Sequence, residues 1–282
     1  MSQPEYNPTE LLICIASRLM EDETTAFIGT GIPMLAASLA QRRQAPNLIP
    51  VFEFGGMGAI LEDLPMAVGE ARTFHRALHA SGITDTMETA ARGFIDYGFL
   101  GGAQIDPYGN LNSTVIGPHD RPKVRLPGSG GACEIAILAK KVLVMAPQSR
   151  RSFPEKVDFV TSPGFLDGPG RREAFGMPGG GPSAVITDLG CYEFVEGEMT
   201  LVSLHPGCSV DDVRANIGWD VRIADSLAET PAPTDEEIKA HFDQNPERFA
   251  IEPSLKIDQI WCKDLPTAEQ AKKAVESGSA FA

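Results

Sequence analysis

One carboxylate stands where an apolar run ends and glycines begin, in Val51-Phe52-Glu53-Phe54-Gly55-Gly56-Met57-Gly58. Leu48 to Phe52 reads as a buried strand, which puts Glu53 at the carboxyl end of a sheet, the edge where α/β proteins place ligands. A glutamate there can serve as nucleophile, general base or metal ligand. On position alone, a solvated loop glutamate or a helix cap is the commoner outcome. The glycines that follow, Gly55 first among them, would let a substrate approach the backbone closely. A second constellation is Pro127-Gly128-Ser129-Gly130-Gly131-Ala132-Cys133-Glu134, a glycine-rich turn entering a helix. Such a turn aims several backbone N–H groups at one point and suits a phosphate or a developing oxyanion. The plainer alternative is chain reversal, because the pattern is neither GxGxxG nor a P-loop. Gly29-Thr30-Gly31 is a similar, shorter turn.

Other groups carry weaker signals. Gln104-Ile105-Asp106-Pro107-Tyr108-Gly109-Asn110-Leu111-Asn112 is a dense polar run after a strand. Most such runs are turns held by Asp and Asn side chains. This one falls on the same sheet edge as Glu53, so Gln104 and Asn110 are candidate pocket residues. Cys133 reads more readily as a small residue at a helix start than as a nucleophile. His205, before Pro206-Gly207, reads as part of a structured turn. Arg150, Arg151, Lys156, Arg171 and Arg172 include possible partners for the phosphates of a nucleotide-like ligand, although such charges are more often simply solvated. The cysteines and histidines lack CxxC or HxxxH spacing, so no metal site is expected.

The elements that would position these groups follow from local signals. Asn7, Pro8 and Glu10 open a first helix with a capping box. Thr24 to Ile28, the Gly29-Thr30-Gly31 turn and a helix entered at Pro33 make a strand–turn–helix unit, the building block of a parallel sheet. Phe94 to Leu100 and Lys141 to Ala146 read as further strands, with a helical stretch over Ile135 to Lys140. Ala184 to Phe194 and Met199 to Leu204 flank Glu196-Gly197 and predict a hairpin. Ser209 caps a short helix that ends before Gly218. Pro231-Ala232-Pro233 breaks the pattern, and Thr234 with Glu237 opens another helix. The expected organisation is an α/β domain over residues 1–230, with a mostly parallel sheet flanked by helices, and a polar helical extension over 231–282.

The formal net charge of −14 argues against nucleic acid as a partner, since that ligand rewards clustered cations. No apolar run is long enough to span a bilayer, so no membrane partner is expected. An odd count of five cysteines, behind an N-terminus without a secretory signal, points to free thiols in a reducing cytoplasm.

Taken together, GTGIPMLAASLA (29–40), VFEFGGMGA (51–59), GGAQIDPYGNLNST (101–114), PGSGGACEIA (127–136), KVDFVTSPGFLDG (156–168) and VSLHPGCSVDDV (202–213) resemble the β subunits of glutaconate-type, family I CoA-transferases. These stretches occur in the family's order, and the match spans roughly 8–230. The resemblance implies the parallel-sheet fold shared with ribose-phosphate isomerases and glucosamine-phosphate deaminases. It implies that Glu53 is the nucleophile, and that CoA moves between an acyl-CoA and a free carboxylic acid through a glutamyl-CoA thioester. The family's glycine loop maps onto Gly128, Gly130 and Gly131, with Ala132 opening the helix, as oxyanion and CoA contacts. No permanently bound cofactor is implied, because the CoA thioester is the substrate. An α subunit is implied as partner, within a higher hetero-oligomer. Two departures stand out. Phe54 replaces the family's usual small polar residue beside the glutamate. Cys133-Glu134 replaces the transferases' frequent Asn-Asp and is closer to ring-opening hydrolases on the same fold. The alternative function is therefore a CoA-thioester ring-opening hydrolase or decarboxylase.

Overall fold

A computed structural model describes residues 6–61 and 64–244. Compact units comprise Met1–His241 and Phe242–Ala282, and the candidate site residues all lie in the first. In chain order the elements are α1 (Pro8–Arg18), β1 (Thr25–Phe27), α2 (Ile32–Arg42), β2 (Ile49–Val51), β3 (Gly56–Met57), β4 (His79–Ala80), α3 (Ile83–Ala91) and β5 (Tyr97–Leu100). Four short strands follow: β6 (Gln104–Ile105), β7 (Leu111–Asn112), β8 (Val115–Ile116) and β9 (Val124–Arg125). Then come α4 (Ala132–Leu138), β10 (Lys141–Met145), α5 (Arg171–Ala174), β11 (Pro182–Ile186), β12 (Gly190–Val195) and β13 (Glu198–Leu204). The described chain closes with α6 (Val210–Ala215), β14 (Arg222–Glu229) and α7 (Asp235–Gln244).

One ten-stranded sheet runs β14-β13-β12-β11-β10-β5-β1-β2-β3-β4. Its centre, β11-β10-β5-β1-β2, is parallel throughout, as strands joined by helical crossovers must be. Those strands read as near-continuous apolar runs because both faces are covered: Ala26, Phe27, Val142, Leu143 and Val144 are all buried. From β1 the chain crosses to β2 on one side and later returns to β5 on the other. That reversal opens a crevice at the carboxyl ends of β1 and β5.

The caps form as their spacing predicts. Asn7 and Glu10 exchange side chain-to-backbone hydrogen bonds at 3.0 and 2.8 Å. Ser209 is paired with Asp212 in the same way, and Thr234 with Glu237. At the Glu196-Gly197 turn both residues have positive φ, 54° and 76°, which matches the right-handed twist of β12 and β13. The expected single strand Ala184 to Phe194 is instead two, β11 and β12. Thr187 breaks it, because its hydroxyl oxygen accepts from the N–H groups of Leu189 and Gly190 and closes a tight turn. The helix expected over Ile135 to Lys140 starts three residues earlier, at Ala132, and ends at Leu138.

Arg18 fastens the start of α7 to α1. Its guanidinium donates to both Glu237 carboxylate oxygens (2.8 and 2.7 Å) and to the carbonyls of Pro231 and Ala232. Beyond Gln244 the expected 231–282 extension lies outside the described residues. Among the described residues, no helix is long and apolar enough to cross a membrane.

Candidate active site

Glu53 leaves β2 on a tight turn. The Gly55 N–H donates to the Phe52 carbonyl (2.9 Å) and the Phe52 N–H to the Gly56 carbonyl (2.8 Å). Phe52 is fully buried and anchors the turn, while Glu53 is only half-buried. Contrary to expectation, Gly55 and Gly56 leave no room for a substrate. A Cβ on Gly55 would lie 2.2 Å from the Ser81 carbonyl oxygen, and one on Gly56 would lie 1.9 Å from that of Thr73. Their space is filled by the protein's own backbone, and the N–H of Ser81 donates to the Gly55 carbonyl (3.1 Å). These glycines lock the turn that carries Glu53. Phe54 is 49% exposed, and its ring lies against Gly69.

The turn delivers Glu53 to the second constellation. A Cβ on Gly131 would come 2.7 Å from Glu53 Oε1 and 3.2 Å from its Cδ. The same point lies 2.7 Å from the terminal methyl of Met87, which comes from α3. Carboxylate, glycine backbone and methyl thus meet at one place. No hydrogen bond or ion pair among the described residues engages the Glu53 carboxylate.

The loop facing it is built from the outside. The Gly128 N–H donates to the Ser113 carbonyl (2.8 Å), and the Ser113 hydroxyl donates to the Gly128 carbonyl (2.8 Å). Ser129 then closes the turn into α4. Its carbonyl accepts from the Ala132 N–H (3.0 Å) and its hydroxyl from the Cys133 N–H (3.1 Å). The N–H groups of Gly128 and Ala132, two of the expected oxyanion and CoA contacts, are thus bound within the protein. Among the described residues no acceptor takes the N–H of Gly130 or Gly131. Gly128 and Gly130 adopt positive φ (98° and 50°), and beside them, as beside Gly29 and Gly31, the space is open.

Gln104 and Asn110 do not join this arrangement. Gln104 is buried; its carbonyl oxygen accepts from Asn112 Nδ2 (2.7 Å) and the Asp158 N–H (3.0 Å), and its amide donates to Asp158 (3.2 Å). Asn110 donates to both Asp106 oxygens and to the Leu166 carbonyl, and accepts from the N–H groups of Gly164 and Leu166. Every polar atom of the two amides is committed to joining the 104–112 run to the 158–166 segment. A 104–112 loop can recruit partners some fifty residues away only through tertiary folding, so the run itself held no sign of this. Asp106 at its centre is held above the ordinary carboxylate range by burial, against the pull of Asn110 and neighbouring backbone donors.

The remaining candidates resolve simply. Burial, and then the adjacent Glu134, push the Cys133 thiol up and away from the thiolate form. His205 is buried, with Nδ1 3.0 Å from the Thr230 hydroxyl and Nε2 2.7 Å from the Thr187 carbonyl oxygen; burial lowers its pKa. Arg172, a candidate phosphate ligand, is buried and donates only to main-chain carbonyls. No group of three or more His, Cys, Asp or Glu side chains among the described residues could hold a metal ion.

Known proteins share this arrangement's framework. Residues 9–216 match the family model described as Coenzyme A transferase. The chain is 42% identical over 241 residues to the B-type subunit of 3-oxoadipate CoA-transferase from Pseudomonas knackmussii, covering 83% of this chain and 92% of that protein. The crystal structure of glutaconate coenzyme A-transferase from Acidaminococcus fermentans superimposes with a TM-score of 0.81 at 34% identity, over 89% of this chain and 99% of that one. The cholesterol ring-cleaving hydrolase IpdB subunit of Mycobacterium tuberculosis is more distant, 29% identical over 211 residues, 74% of this chain and 82% of that protein. With the family model spanning most of its length and the framework of a solved transferase beneath it, the chain belongs to the coenzyme A transferase family, as a B-type subunit.

Proposed function

We propose that this chain supplies Glu53 as the covalent nucleophile of a two-subunit CoA-transferase. The observation that carries the reading is the Glu53 carboxylate lying 2.7 Å from where a Gly131 Cβ would be, at a loop whose Gly130 and Gly131 N–H groups have no acceptor among the described residues. A carboxylate needs no general base to attack a thioester. Glu53 adds to the acyl-CoA carbonyl, the C–S bond breaks, and an acyl-glutamyl anhydride and CoA thiolate result. The thiolate then attacks the glutamyl carbonyl and expels the first acid, leaving a glutamyl-CoA thioester. A second carboxylate attacks that thioester, again forming an anhydride and thiolate. Attack of the thiolate on the new acyl carbonyl releases the product acyl-CoA and restores Glu53. Each tetrahedral intermediate carries an oxyanion, and the N–H groups of Gly130 and Gly131 are its donors in this scheme.

Anhydride and thioester both hydrolyse in water, so the site must be covered. We assign that role to an A-type partner chain, in a higher hetero-oligomer housed in the cytoplasm. The segment after Glu53 supports this assignment. Met66 (85% exposed), Leu78 (77%), Ile60 and Phe54 present large apolar side chains to solvent, a surface of the kind that partners cover. The substrates are then an acyl-CoA and a free carboxylic acid, with no permanently bound cofactor.

The test is to incubate the chain and its A-type partner with acyl-CoA, then trap with borohydride or hydroxylamine and read the mass of the peptide bearing Glu53. A modified Glu53 is expected. The ring-opening hydrolase or decarboxylase reading, which the Cys133-Glu134 pair favours, predicts CoA-thioester chemistry with Glu53 unmodified. Full transferase turnover in Glu53→Gln would falsify the mechanism.

A further inference from the structure

We propose that Arg172 is the positioning residue that sets the gap between Gly131 and Glu53, by fixing α4 along its own axis. This rests on the reading of Glu53 as nucleophile. Arg172 is 3% exposed, and no ion pair neutralises it among the described residues. Its Nη1 donates to the carbonyls of Pro163 (3.1 Å) and Gly164 (2.9 Å). Its Nη2 donates to those of Ala136 (3.0 Å), Ile137 (3.5 Å) and Gly179 (3.1 Å). Its Nε finds no partner among the described residues and is pressed against Gly181, where a Cβ would come within 2.9 Å.

Ala136 and Ile137 lie in the last turn of α4, whose carbonyls lack partners within the helix. A guanidinium stays charged and presents a rigid fork of donors, and the negative end of a helix favours a cation. Arg172 thus takes hold of α4 at the end opposite Gly131, about 10 Å away along a seven-residue helix. The underside of α4 is fixed by different means. Ile135 sits on Gly98 of β5, its Cγ2 2.4 Å from where a Cβ would be, so the helix is seated as deep as the sheet allows. The Gly179 N–H shares this end of α4, donating to the Ile137 carbonyl (2.8 Å), and a shift of the helix along its axis is the motion that would move Gly130 and Gly131 past the carboxylate. A displacement of about 1 Å at a reacting centre can cost two orders of magnitude in rate.

The experiment uses the complex with its A-type partner and the variants Arg172→Met and Arg172→Lys. Three quantities are read: amide exchange of peptides covering 128–135 and 48–61, acyl-CoA affinity, and the single-turnover rate of Glu53 adduct formation. In Arg172→Met, exchange at 128–135 should quicken while 48–61 stays unchanged. The adduct rate should fall by about 30-fold or more with affinity held within about threefold, the split expected of lost positioning rather than lost binding. Lysine, keeping the charge and up to three donors, should recover part of both changes. Unaltered exchange at 128–135, an adduct rate near wild type, equal losses in rate and affinity, or a lysine variant no better than methionine would each overturn the proposal. If Arg172→Met does not assemble, Arg172→Lys decides by its own rate and affinity: slowed chemistry at unchanged affinity supports the role, and a wild-type rate overturns it. A wild-type complex that forms no Glu53 adduct sinks the nucleophile reading instead, and the exchange pattern still reports whether Arg172 holds the loop.

Discussion

Two polar, glycine-bearing loops between β5 and α4 end in opposite conditions. In the 104–112 run every side-chain amide is buried and bonded, and a Cβ on Gly109 would strike Pro182 and Phe194. At 127–131 the backbone N–H groups of Ser129, Gly130 and Gly131 find no acceptor among the described residues, three glycines border a carboxylate or open space, and that carboxylate has no partner among the described residues. Chemistry needs groups that the fold holds in place without using. A loop whose polar atoms are all satisfied is architecture, however suggestive its composition.

Substitutions on the two sides should separate accordingly. The largest effect is expected from Glu53→Gln, which should lower transferase turnover by about 10⁴-fold or more while leaving the thermal midpoint nearly unchanged. Steady-state kinetics of the assembled enzyme beside a melting curve would show it. Next comes Gly131→Ala. The new methyl overlaps the ends of two side chains, Glu53 and Met87, which can swing aside. Stability should change little, but turnover should fall about 100-fold as the carboxylate is pushed off its mark. An alanine variant with wild-type kcat would break the comparison at its centre.

Asn110→Ala should do the reverse. It strands the N–H groups of Gly164 and Leu166 and removes a donor from buried Asp106, so it should cost about 3 kcal/mol in denaturant titration with kcat within a few-fold of wild type. The smallest effect concerns pH. His205, buried and with its pKa lowered, takes up a proton less readily folded than unfolded. Stability is therefore lost as pH falls below about 6.5, by at most about 1.4 kcal/mol for each pH unit. His205→Asn should flatten the dependence of the urea midpoint on pH between about 7.5 and 5.5, a window set by the ordinary histidine pKa.

The parts of this contrast that depend on near neighbours in sequence could be read there. Caps at Asn7, Ser209 and Thr234, the Glu196-Gly197 reversal and the strand before Glu53 all rest on residues within four positions of one another. So did the pairing of a strand-end glutamate with a glycine loop, once several stretches resembled one family. The roles of Gln104, Asn110 and Arg172 could not be read, because their partners lie up to 56 residues away and are often backbone atoms, which leave no mark on composition. Arg172 sits beside Arg171, which is exposed and stacks on Phe175, and the two are indistinguishable as letters. The one local hint was the density of glycine from 164 to 181, since a chain folding closely around a buried guanidinium needs positions without side chains.

The occupied space beside Gly55 and Gly56 has a consequence for anyone redesigning acid selectivity. With both neighbours walled in by the carbonyls of Ser81 and Thr73, the turn bearing Glu53 tolerates almost no diversity in a mutant library. Phe54 is the exception, since its ring projects outward over Gly69. Recombination at that single codon, trimming the ring to serine or alanine, is where new acyl preferences should be sought first.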